Sequence, residues 1–231
     1  MNRWRAGLTR VKLCVIVGAV LLFGLFLLLL PVLPQALEEG RRTDCMKNLE
    51  TIGKALSAYR NDNGGYLPFS CGLGGTSPGA FNNAAASSLG LLYPKYLGSA
   101  KAFRCPSTKD KPAFVLNGEV SNRTWALAGS SYGYDPRVSR QAGKYKYTAI
   151  MADMDGSYVD LSDSTSRNHV SGQNVLYADG HIELSGSNFC ANDPQDNIFA
   201  QDPWDADTDT FLVRGDLNNL TVSFDAYDHL K

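Results

Sequence analysis

The sequence predicts an α+β chain in which one long N-terminal helix is followed by a mainly antiparallel sheet of short strands. Three observations predict it. Residues Gly7 to Asn61 carry helical patterning, apolar in the first half and amphipathic in the second. Later in the chain, short apolar runs rich in β-branched and aromatic residues are separated by Gly, Asp, Asn, Ser and Pro clusters. Between two of those runs stands Asp179-Gly180, among the strongest two-residue hairpin signals.

The helix comes first. Leu13 to Leu33 contains no charged residue, and at about 1.5 Å per residue it is long enough to cross about 30 Å of hydrocarbon. This predicts a membrane span over 13–33. Arg3, Arg5, Arg10 and Lys12 precede it within a basic segment, 1–12, which orients the N-terminus to the cytoplasm and the remaining chain outside. A cleaved signal peptide is the rival reading, with Leu33-Pro34-Gln35-Ala36 as its cleavage region. The apolar core exceeds the usual 7 to 15 residues of a signal h-region, which favours a retained anchor.

From 34 to 61 the helix becomes amphipathic. Leu37, Cys45, Leu49, Ile52, Leu56 and Tyr59 fall mainly at three- and four-residue spacings, while Glu38, Arg42, Lys47, Glu50, Lys54 and Arg60 take other faces. Pro31 and Pro34 predict a kink near the outer membrane boundary, because each lacks a backbone donor and crowds the preceding turn. Asn61-Asp62-Asn63-Gly64-Gly65 stops the helix.

Residues 62–231 form one domain of ordinary size, large enough to bury a core. A net charge of −1 and a pI near 6.3 leave no long-range field for nucleic acid, which is not an expected partner. Of the five cysteines, Cys14 lies in the span and Cys45, Cys71, Cys105 and Cys190 follow it. In an oxidising compartment those four permit two disulfides with three pairings, and their spacing does not resemble a zinc site.

Along this domain, Leu67 to Ala86 reads as a surface loop rich in Gly, Ser, Asn and Ala. Leu89, Leu92, Tyr93, Tyr96 and Leu97 predict a helix over Ser87 to Leu97, closed by Gly98 despite Pro94 inside it. Phe103 to Ser107 is a short extended piece and a turn. Strands are predicted at Ala113–Leu116, Thr124–Leu127, Ser131–Tyr134, Tyr147–Ala152, Asn174–Ala178, His181–Leu184, Thr210–Val213 and Leu220–Phe224. The hairpin turn at Asp179-Gly180 is expected to need positive φ at both central residues.

Several of these segments, in order, resemble the pseudopilin-like proteins of planctomycetes and related bacteria, which join a prepilin-type N-terminus to a C-terminal H-X9-DG domain of unknown function. The matching pieces are Arg41-Arg42-Thr43-Asp44-Cys45-Met46-Lys47-Asn48-Leu49, Phe103-Arg104-Cys105-Pro106-Ser107, Ser131-Tyr132-Gly133-Tyr134, and His169 with Asp179-Gly180 at the family spacing. Asp196-Asn197-Ile198-Phe199 and Asp209-Thr210-Phe211-Leu212-Val213 look like the family's final segments. The resemblance implies a pilin-like fold, a membrane-anchored precursor, and sister pseudopilins or a type II secretion or type IV pilus apparatus as partners. It also implies a pairing of Cys45 with Cys105, since both lie in family-like segments.

The N-terminus departs from the pattern. Gly7-Leu8-Thr9-Arg10-Val11-Lys12-Leu13 aligns with the prepilin processing motif, with cleavage expected after Gly7, but Lys12 stands where the family has Glu. That Glu neutralises a neighbouring subunit's N-terminal amine in assembling pilins, whereas Lys12 brings like charges together in an apolar bundle. Two readings follow: an uncleaved, non-assembling membrane protein, favoured by the topology role of Arg10 and Lys12, or a tip-like minor subunit.

Chemistry is sparse. His169 and Asp179 are the raw material of an acid/base pair, and an anchored periplasmic enzyme or ligand-binding module using His169, Asp179 and His181 is the alternative reading. Asp179 is already explained by a turn, His169 by hydrogen bonding in its own loop, and no nucleophile motif completes a site. Adding Asp153 and Asp155 supplies metal-ligand types but no recognised spacing. Asp205, Asp207 and Asp209 alternate so that their carboxylates can converge on calcium, although Thr210 stands where an EF-hand needs Gly. A solvated acidic loop explains them equally well. No cofactor is required.

Overall fold

In the computed structural model, residues 2–30, 32–70, 80–116, 125–135, 148–153, 168–169, 172–190, 196–199 and 212–214 are described below. The chain divides into two compact units, Met1–Gly40 and Arg41–Lys231.

In the first unit the predicted continuous helix is two helices. Helix α1 runs Asn2–Leu29 and α2 begins at Val32, and the two meet at 44°. The bend falls where Pro31 and Pro34 interrupt the apolar run, and Pro34 is tolerated in the first turn of α2, where its missing donor has no intrahelical partner. Among the described residues no single helix is long and apolar enough to cross a membrane, while Cys14–Leu29 and Val32–Asp62 pass that test as a bent pair. Within α1, large apolar side chains face outward: Leu22 is 69% and Leu28 73% exposed.

The second unit is α+β, with a helix packed against antiparallel sheets. Helix α2 ends at Asp62, where Gly65 N–H returns to Arg60 O at 2.9 Å and Gly64 and Gly65 take positive φ, closing the helix as the Asn-Gly run predicts. Its stripe is buried as expected: Cys45, Leu49, Ile52, Ala55 and Leu56 are enclosed. Leu37, the first member of the predicted stripe, is exposed. The opposite face carries the exposed Lys47–Asp44 and Lys54–Glu50 pairs. Burying each large aliphatic side chain of the stripe contributes about 1.5–3 kcal/mol.

Helix α3 spans Ala80–Gly90, so residues 80–86, expected as loop, are helical, and the helix expected over Ser87 to Leu97 ends at Gly90. Two physical reasons account for the shift. Ala84-Ala85-Ala86 is strong helix-forming sequence that outweighs the polar composition around it, and the chain must turn before Pro94, whose peptide bond with Tyr93 is cis. Gly90, not Gly98, closes α3: a Cβ there would lie 1.7 Å from Trp125 O, so only glycine admits this contact with the strand.

Seven strands are described: β1 Ala113–Leu116, β2 Trp125–Ala128, β3 Tyr132–Tyr134, β4 Ala149–Asp153, β5 Gln173–Tyr177, β6 Ile182–Ser185 and β7 Val213–Arg214. β1 coincides with the predicted Ala113–Leu116, β2 to β6 fall on predicted segments with boundaries moved by one or two residues, and β7 shares Val213 with the predicted Thr210–Val213; Leu220–Phe224 lies outside the described residues. Among the described residues β1 and β2 form a two-stranded antiparallel sheet, and β6-β5-β4-β3-β7 form a five-stranded antiparallel sheet.

Both faces of the central strands are covered. On one face Leu176, Ile150 and Met151 join Leu49, Ile52 and Leu56 of α2 in the main core; on the other, Val175, Tyr177, Ala149 and Ala152 meet Ile198 and Leu212. The β4–β5 register shifts between Ala149 and Met151, which lets Ile150 and Met151 serve the same core although adjacent in sequence. Gly53 faces Leu176, whose nearest methyl would sit 3.3 Å from an added Cβ, so α2 rests directly on β5.

The β5–β6 turn corrects one expectation. Gly180 has φ of 91°, whereas no non-glycine residue takes positive φ among the described residues. Gly180 N–H donates to Tyr177 O, and Tyr177 N–H donates to His181 O, so the loop is three residues closed by glycine in the bulge position. Asp179 contributes through its side chain, which accepts from His181 N–H at 3.0 Å.

Candidate functional site

Four of the segments quoted for the resemblance, those holding Cys45, Cys105, Tyr132 and His169, lie far apart in sequence and meet at one buried point. Helix α2 supplies Cys45; a 3-10 turn, Ala100–Phe103, leads into the extended piece that supplies Cys105 and Ser107; β3 supplies Tyr132 and β4 supplies Asp153. His169 enters beside β5, paired with Gly172 through an isolated bridge. Gly172 has φ of 146°, and a Cβ there would meet Ser185 O at 2.4 Å, so the approach to β5 demands glycine.

Cys45, Cys105, Tyr132 and Asp153 are fully buried and His169 is 2% exposed. His169 Nε2 lies 3.4 Å from Cys105 Sγ and 3.5 Å from Asp153 Oδ2, and its Nδ1 lies 3.2 Å from Ser107 Oγ. One sulfur from each of Cys45 and Cys105 and one His169 nitrogen all fall within 4.8 Å of one another. Around this centre Tyr132 donates its hydroxyl to Cys45 Sγ at 3.3 Å, and Asn174 donates its backbone N–H and side-chain amide to the two Asp153 oxygens, both at 2.7 Å.

A set of side-chain clips closes the surroundings. Asn48 reaches Arg104 O at 2.8 Å, Asn168 reaches Ser131 O at 2.9 Å, and Asn174 Nδ2 reaches Arg42 O at 3.4 Å. Each joins two resemblance-bearing segments, or one of them to β5.

The electrostatics are those of a coupled thiol pair. The hydrogen bond with Cys45, followed by that with His169, holds the Cys105 thiol below its ordinary range against the opposing effect of burial. Its partner moves the other way: the same bond and then burial push Cys45 far up. Burial, with the nearby Cys45, likewise keeps the Tyr132 hydroxyl protonated. A nucleophile relay does not match this geometry. Cys105 and Asp153 address the same imidazole nitrogen, whereas a relay places sulfur and carboxylate on opposite ring nitrogens, and the sulfur is sealed from solvent.

The predicted site residues distribute as follows. His169 reaches beyond its own loop to Cys105, Ser107 and Asp153. Asp179 and Gly180 form the exposed hairpin turn, where Asp179 Oδ1 contacts His181 Nδ1 and the His181 ring stacks on Tyr177 at 4.4 Å. Cys45 and Cys105 come together as thiols, whereas the Cys190 thiol lies beside Asn188 O and the Tyr177 hydroxyl donates to Cys190 O. Gly7, Leu8 and Lys12 lie on α1. Cys71, Asp155, Asp205, Asp207 and Asp209 lie outside the described residues.

Sequence spacing missed the grouping of Cys45, Cys105, His169 and Asp153, because Cys105 and His169 are 64 residues apart. The signal that could have found it is that three of the four sit in separate segments carrying the resemblance. No family model, curated protein or solved structure matches this chain.

Proposed function

We propose that this chain is a membrane-anchored, pseudopilin-like structural and interaction protein, without enzymatic activity, whose C-terminal unit faces the periplasm. The observation that carries the reading is the burial of the Cys45–Leu56 stripe of α2 against an antiparallel sheet, the packing expected of a pilin spine. The apolar, outward-facing side chains of α1 and the basic residues ahead of them support an anchor with a cytoplasmic N-terminus.

Lys12 in place of the family Glu makes the chain a non-assembling relative or a minor subunit rather than a filament-building one. Its partners are then sister pseudopilins or a secretion apparatus, met through the C-terminal unit. The exposed Asp179–His181 turn and the sealed position of His169 support a structural role for the H-X9-DG residues.

Membrane fractionation and spheroplast proteolysis test the topology together. The full chain is expected in the carbonate-resistant membrane fraction, with external protease removing the C-terminal unit and leaving a membrane-bound N-terminal fragment. Release by carbonate, or full protection from external protease, would contradict the proposal.

A further inference from the structure

We infer that Cys45, Cys105 and His169 form a buried three-ligand site for a zinc-like divalent cation that ties α2 to the sheet. The inference goes beyond the scaffold reading and rests on the geometry of the second unit alone.

The distances suit the metal. Zinc binds thiolate at about 2.3 Å and imidazole at about 2.0–2.1 Å, so a tetrahedral sulfur-to-nitrogen edge measures about 3.5 Å. Cys105 Sγ to His169 Nε2 measures 3.4 Å, and the Cys45 sulfur lies within 4.8 Å of both. A single imidazole nitrogen cannot aim one hydrogen bond at both Cys105 and Asp153, whereas a cation between the two sulfurs and Nε2 takes a lone pair from each of the three. Donation of the Nδ1 hydrogen to Ser107 Oγ leaves the Nε2 lone pair directed inward, and that makes Ser107 a positioning residue.

The surrounding hydrogen bonds continue the pattern. Tyr132 donates to the Cys45 sulfur, the kind of outer contact that orients a ligand and stabilises its negative charge, and Asp153, held by Asn174, stands beside His169 as a neighbouring carboxylate. The donor set of two sulfurs and one nitrogen favours a borderline-soft ion over calcium or magnesium. Binding releases the two thiol protons, and the two thiolates then neutralise the divalent charge. Because every ligand is buried, the ion enters as the chain folds and does not exchange freely afterwards.

The test uses the full chain, expressed with added zinc and purified in detergent without chelator or thiol. Inorganic mass spectrometry is expected to find about one zinc per chain, intact mass under non-denaturing conditions to show the mass of one zinc less the two displaced thiol protons, and the denatured, metal-stripped chain to have the mass of free thiols and not of a disulfide. Growth with cobalt instead should yield a sulfur-to-cobalt charge-transfer band and the intense visible bands of tetrahedral cobalt. Cys105→Ser and His169→Ala should lose most of the metal, while Cys190→Ser, away from the site, retains it. Should the ligand variants fail to fold, the wild-type stoichiometry and cobalt spectrum still decide. Metal-free wild-type chain overturns the inference, whether a Cys45–Cys105 disulfide or two free thiols are found, as does undiminished zinc in folded Cys105→Ser.

Discussion

Replacing Leu56 by alanine probes the packing on which the spine rests. Leu56 is 1% exposed and belongs to the core that α2 shares with Leu176, Ile150 and Met151. Truncation removes buried methyl groups and leaves a void that helix and sheet can close only in part, a change that costs about 2–5 kcal/mol. Taking about 3 kcal/mol, and about 2–4 °C per kcal/mol for a domain of this size, the melting midpoint should fall by about 6–12 °C. Lys54→Ala is the matched control, two positions away on the exposed face with its side chain 75% exposed, and should move the midpoint by no more than about 2 °C. Near-ultraviolet circular dichroism of the full chain in detergent during heating reads both. Equal shifts for the two variants, or a Leu56→Ala shift below about 2 °C, would refute the packing of α2 on the sheet.

Other substitutions test separate contacts. Gly90→Ala drives a methyl group into the Trp125 carbonyl, and because backbone cannot swing aside, its cost should reach about 3 kcal/mol; an unchanged denaturation midpoint would show that α3 does not touch β2 there. Gly180→Ala should cost about 1–2 kcal/mol through its positive φ, and Gly180→Asn less, as measured by urea unfolding; equal stability of all three chains would dismiss the bulge turn. Asp153→Ala should destabilise more than Asp153→Asn, since alanine leaves the Asn174 N–H without its buried acceptor, at about 1–3 kcal/mol, while asparagine retains one oxygen. Identical thermal midpoints for that pair would sink the assignment of the hydrogen bond.

How much of this was legible in the sequence depends on the range of the interaction. The α2 stripe was readable because its periodicity is local: Leu49, Ile52 and Leu56 declare one face within two turns. Strands β1 to β6 were readable for the same reason, each bounded by its own turn residues. Helix α3 was misplaced because the polar composition around Ala84-Ala85-Ala86 masks that helix-forming run in the sequence, and the contact of Gly90 with Trp125 that fixes its end is one no local pattern records. The turn at Asp179-Gly180 was located correctly but given two positive φ values where only Gly180 needs one, since the third loop residue, Ala178, was counted as strand. The grouping of Cys45, Cys105, His169 and Asp153 escaped because four elements must fold together to make it. Only the nearness of Cys45 and Cys105 was foreshadowed, by resemblance rather than by spacing, and the two meet as thiols and not as the expected disulfide.

In the function proposed above, α1 is a retained anchor and not a processed assembly signal. Intact-mass measurement of the full chain, isolated from membranes of a host with an active prepilin peptidase, tests it most directly. The proposed reading predicts a chain that still carries residues 1–7, since in it Arg10 and Lys12 depart from the prepilin-type processing motif and act as cytoplasmic topology signals. A mature chain beginning at Leu8 would contradict it and place the protein among processed, filament-competent subunits.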